Sequence, residues 1–107
     1  MNQDQLTGLF DRLGEKTASK ILNWDRLSPR SDSFVANNGQ FTFFMLDEPS
    51  GLVFSIRDES GDEILRIDTS QPDAPFENQL IALYALIQIN VDTPKVNDLD
   101  RVMASLL

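Results

Sequence analysis

The sequence offers few side chains that do chemistry. It holds neither cysteine nor histidine, which removes thiolate and imidazole nucleophiles, disulfides, and sulfur or imidazole metal ligands together. Carboxylates are left as the acid–base groups. The densest set is Asp58, Glu59, Asp62 and Glu63, and hard cations such as calcium do take carboxylate oxygens from short loops. This run lacks the D-x-[DN]-x-[DN]-G spacing of a calcium loop, and Asp-Glu-Ser-Gly-Asp is an ordinary turn composition. A solvated turn is expected there, with no metal bound. Paired-carboxylate hydrolysis needs an acid and a base about 5–10 Å apart in a cleft. Seventeen acids provide many pairs, and nothing in their spacing singles one out. Ser19 and Lys20 are adjacent and not a helical turn apart, and neither Gly8 nor Gly14 is followed by G-K-[ST], so no dyad or phosphate loop is expected. The expectation is a noncatalytic chain without a cofactor.

Arg12, Lys16 and Lys20 form a basic row at i, i+4 and i+8. Three bases are a weak footprint for phosphate in a chain of net charge −8 and pI near 4.2, so direct nucleic-acid binding is not expected. Long basic stems also cover apolar surface while their heads stay in water. Trp24 continues the apolar stripe beside this row and reads as a core anchor.

The elements that carry these groups follow from periodicity. Residues 4–23 place Leu6, Leu9, Phe10, Leu13, Thr17 and Ile21 on one helical stripe. Residues 25–32 cluster turn formers around Pro29 and read as a connector. The period then becomes two. Segments 33–36 and 40–46 flank Asn37-Asn38-Gly39, a hairpin signal because these residues tolerate positive φ. Turn compositions at 47–51 and 58–62 separate two more strands, 52–57 and 63–68. A helix is expected from Phe76, with Pro75 in its first turn, to about Asn90, and another after Thr93-Pro94, with Val96, Leu99, Val102, Met103 and Leu106 as its stripe. The expected fold is α+β: a four-stranded antiparallel meander with a weak first edge strand, one N-terminal and two C-terminal helices, in the order α-β-β-β-β-α-α.

Two surfaces carry more apolar residues than one core needs. If Leu46 opposes Leu52 and Arg57 opposes Glu63, one sheet face holds Phe44, Leu46, Phe54 and Ile56, and the other Phe41, Phe43, Met45, Val53, Leu65 and Ile67. A sheet wet on one side alternates more cleanly, so both faces are expected to be covered. The helix from Phe76 is apolar on both sides, with Ile81, Ala82, Ala85 and Ile89 opposite Leu80, Leu83, Tyr84 and Ile87. Phe41, Phe43, Met45, Ile81, Ala82, Ala85 and Ile89 are therefore the candidate interface.

With 107 residues the chain is long enough for one modest core, and 1–107 reads as one domain. No basic segment followed by an apolar run opens it and no stretch nears the ~18 apolar residues of a spanning helix, so a cytoplasmic protein without membrane contact is expected. The expected role is a small acidic protein–protein interaction domain of the chaperone, adaptor or immunity type, a homodimer or bound to another protein. The alternative is an acidic inhibitor that mimics nucleic acid and fills the basic cleft of a nuclease or DNA-binding protein. The element order is loosely similar to that of type III secretion chaperones, without the two strands that follow the second helix there, and this implies architecture alone.

Overall fold

A computed structural model of the chain describes residues 3–29, 31–70, 76–92 and 96–106. The elements follow in the order α1 (Gln3–Ala18), β1 (Asp25–Arg26), β2 (Phe34–Asn37), β3 (Thr42–Glu48), β4 (Gly51–Arg57), β5 (Glu63–Asp68), α2 (Glu77–Asp92) and α3 (Val96–Leu106). The class is α+β, and the strands form one antiparallel meander, β1-β2-β3-β4-β5. The helix start signals at Pro75 and Thr93-Pro94, and the side chains of Val96 and Leu99, lie outside the described residues.

Five strands stand where four were expected. The additional one is two residues of the presumed connector: Asp25 pairs with Val35 and Arg26 with Phe34, so β2 is an inner strand and not an edge. Arg26 secures it. Its guanidinium donates to the Ser31 carbonyl at 2.9 Å and to the Asp92 carboxylate at 3.2 Å, and lies 5.3 Å over the Phe34 ring. One of these partners is far away in sequence, so no local pattern announces the strand.

Helix α1 also ends earlier than its apolar stripe implies. Lys20 adopts a φ of 63°, and the Lys16 carbonyl accepts the amides of Ile21 and Leu22 at 3.0 and 3.1 Å. Orphan carbonyls of a helix end are satisfied by such a left-handed turn, which also redirects the chain. Ile21 is thrown out of the stripe and is 69% exposed, while Trp24 enters the core from a loop.

The core lies between one sheet face and helices α1 and α2. Phe10 and Leu13 of α1 and Leu80, Leu83 and Ile87 of α2 pack on Phe34, Ala36, Phe43, Met45, Phe54, Ile56 and Ile67. This grouping corrects the expected faces. Leu46 opposes Val53, not Leu52, because the hairpin closes with Pro49-Ser50 between paired Glu48 and Gly51. A one-residue slip exchanges the two faces of a strand, so Phe54 and Ile56 join Phe43 and Met45. Arg57 does oppose Glu63, across an irregularity at Ile56/Arg57 that leaves Ile64 exposed. The opposite face carries Val35, Phe44, Leu46, Val53 and Ser55. Both faces were expected to be covered; on this one the Arg57 guanidinium lies 5.5 Å over the Phe44 ring.

The short β3–β4 turn depends on Gly51. Its φ is 145°, and a Cβ there would stand 2.7 Å from Thr69 Oγ1. That hydroxyl accepts the Leu52 amide at 2.8 Å and donates to the Leu52 carbonyl at 2.9 Å, tying β4 to the end of β5. Gly51→Ala should therefore strain the backbone and push Thr69 away, lowering stability by about 2 kcal/mol. Urea denaturation checks this; a Gly8→Ala change, where a Cβ meets nothing within 4 Å, should instead be neutral or stabilising.

Candidate functional site

Most charged side chains of the sheet and α2 are engaged in building the fold. Asp58 Oδ1 accepts the amides of Ser60 and Asp62 at 2.9 and 3.0 Å, so this carboxylate shapes the β4–β5 turn. Ser55 Oγ donates to Glu63 Oε2 at 2.9 Å, and Arg66 lies 3.6 Å from the same oxygen. Among the described residues no three acidic side chains gather as cation ligands do. Burial pushes the Tyr84 phenol up from its ordinary value, with Asp47 and Asp32 adding to the effect. It stays a donor, bonding the Asp32 carbonyl at 2.8 Å. Hydrogen bonds from Ser70 hold the Asp68 carboxyl below the usual carboxylate range.

Three surfaces of the described residues stand out by their exposed apolar side chains. The first is the outer side of α2. Buried Leu80, Leu83 and Ile87 face the sheet, which turns Ile81, Ala82, Ala85 and Ile89 to the opposite side. Ile81 is 52% exposed and Ile89 63%, and both alanines are exposed. A helix apolar on all sides is ordinarily buried on all sides. Here one side is covered.

The second is α3, whose described side chains, residues 101–106, are all exposed. Val102 and Met103 are more than half exposed, and Leu106 is 77% exposed. Among the described residues α3 shares no broad contact with another element. The molecule is accordingly elongated, 54 × 28 × 25 Å, with a radius of gyration of 15.3 Å against the roughly 13 Å of a compact chain this long.

The third is a groove of about 370 Å³ between α1 and the β2–β3 turn. Leu9, Leu13, Ile21, Leu22 and Phe43 give it an apolar floor and wall, Asn37 and Asn38 close one end, and Arg12 and Lys16 stand on its rim. Asn37 Oδ1 accepts the Gly39 amide and Asn38 Oδ1 the Gln40 and Phe41 amides, so that end is held in shape. Arg26 pairs with Asp32 and Asp92 and Arg66 with Glu63, whereas Arg12 and Lys16, like Arg57 on the opposite sheet face, have no ion-pair partner among the described residues.

The residues expected at an interface thus divide. Ile81, Ala82, Ala85 and Ile89 form one exposed strip. Met45 is fully buried, Phe43 nearly so, and Phe41 is half-buried against the same core; these three are covered by the chain's own helices, because the face they occupy is the one that α1 and α2 pack on. Ile21 and the groove are not signalled by the sequence, since a helix continued to Asn23 would place Ile21 on the packed stripe. The row of Arg12 and Lys16 beside the α1 stripe was the visible trace of the rim. Compared with protein-family models, with curated proteins and with solved structures, the chain matches none.

Proposed function

We propose that the chain is a noncatalytic protein–protein interaction domain that associates with a second copy of itself through the outer side of α2. The observation that carries this reading is the exposed strip of Ile81, Ala82, Ala85 and Ile89 on a helix whose other side is fully packed. Apolar surface of this kind on a small acidic domain is a cost in water that association removes. Ala82 and Ala85 are small enough for another helix to approach closely between the two isoleucines, an arrangement suited to an isologous two-fold contact.

Ala85→Glu tests it. The substitution puts two carboxylates in one apolar contact across the two-fold, where they lose water and gain no partner. Light scattering should report twice the 12.1 kDa chain mass for the wild type and the single mass for the variant. Circular dichroism should be unchanged, because Ala85 is exposed and the packed side of α2 is untouched. A wild type that stays monomeric at high micromolar concentration would overturn the self-association.

A further inference from the structure

We propose that the groove between α1 and the β2–β3 turn receives α3 of the second copy, so that the two chains exchange their C-terminal helices. This rests on the homodimer reading and adds an arm exchange to the α2 contact. α3 has eleven residues, about 16 Å of helix, which is too short to persist in water without packing. Its apolar side chains Val102, Met103 and Leu106 nevertheless stand in solvent. The groove presents the complementary deficiency: Leu9, Leu13, Ile21 and Phe43 form an apolar trough that no other element of the described residues fills.

Charge selects the occupant. Arg12 and Lys16 make no ion pair among the described residues although the chain carries a net −8. α3 carries Asp98 and Asp100 against the single base Arg101. An acidic amphipathic helix in a basic-rimmed apolar groove is a recurring recognition mode. Each copy offers one helix and one groove, so reciprocal exchange closes at two chains and leaves no free end for further growth. The elongated shape fits an arm held away from its own body.

The test is a charge exchange in the full chain. Arg12→Glu with Lys16→Glu reverses the rim, and Asp98→Lys with Asp100→Lys reverses the helix. Each double variant alone should dimerise at least tenfold more weakly than the wild type by sedimentation equilibrium. An equimolar mixture of the two should regain a dimer, because in the mixed pair the reversed groove meets the reversed helix and the native groove meets the native helix. Met103→Asp, an exposed position away from both charge sets, should weaken the dimer similarly. Double variants with wild-type affinity, or a mixture no tighter than its components, would overturn the exchange. If Ala85→Glu still splits such a dimer, the α2 contact stands and the arm exchange alone has failed. A wild type that is monomeric, with α3 seated on its own groove or on none, overturns both.

Discussion

Replacing Phe34 by alanine should destabilise the folded chain by about 3–5 kcal/mol, the range for truncating a fully buried phenylalanine. Phe34 has no exposed surface. Its ring lies 5.6 Å from that of Tyr84 on α2, and the Arg26 guanidinium covers it at 5.3 Å. Truncation opens a cavity between β2 and α2 and removes the surface on which Arg26 rests. Because Arg26 holds β1 and reaches Asp92, the loss should spread to the sheet edge and to the end of α2. Equilibrium urea denaturation gives the magnitude. Hydrogen exchange should show β1 and the last turn of α2 opening first. Leu27→Ala, at a half-exposed site next along the chain, serves as a control, with an expected loss below about 1 kcal/mol.

Asn90→Ala should cost about 3 kcal/mol, through hydrogen bonding and not through volume. The Asn90 amide joins three segments: Oδ1 accepts the Trp24 backbone amide at 3.0 Å, and Nδ2 donates to the carbonyls of Thr17 at 2.9 Å and Leu22 at 3.1 Å. Beside it the Trp24 indole donates to Thr17 Oγ1 at 3.0 Å. Asn90, Thr17 and Trp24 are all buried, so groups stripped of a partner find no water. The Thr17 carbonyl also accepts the Lys20 amide and suffers least. The Trp24 amide loses its acceptor outright. Tryptophan fluorescence should shift red in the variant at temperatures where the wild type is unchanged, because the 19–24 loop is then free to leave the core. A variant as stable as the wild type would show that the loop is held by the packing of Trp24 on Phe43.

Strands β3, β4 and β5 and helix α2 could be read in the sequence because local chemistry and tertiary position agree there. Asn37-Asn38-Gly39 and Asp58–Asp62 make the turns that their residue types favour, with side-chain oxygens bonding nearby amides. β1 could not be read. Two residues carry no period, and Arg26 finds its purchase on Phe34 and on Asp92, 66 residues away. The faces of β4 differ from the expectation through a single turn, since Pro49-Ser50 makes a two-residue connection, while the irregularity at Ile56/Arg57 returns Leu65 and Ile67 to the expected side of Phe43 and Met45. The exposed strip on α2 was legible for a simpler reason. A helix apolar all round announces that one side needs something beyond its own sheet, although it does not say what. The groove was illegible because it is made by α1 ending at Ala18, an outcome of turn geometry that the continuing apolar stripe masks.

The junction at Asn90 also bears on the order in which the protein acquires its shape during synthesis. Its three hydrogen bonds span 66 to 73 residues, and long loops must close before such contacts reward them. A chain leaving the ribosome from its N-terminus has already released α1, the loop at Trp24 and all five strands before Asn90 appears. Until then the Trp24 amide and the Leu22 carbonyl lack their Asn90 partner, the Thr17 carbonyl has only the Lys20 amide, and the sheet face bearing Phe34, Met45 and Phe54 has no α2 above it. The nascent protein therefore waits, apolar and half-covered, for its seventh element, α2, to emerge. The acidity of the chain acquires a use in that interval: neighbouring unfinished chains repel one another while their cores are open.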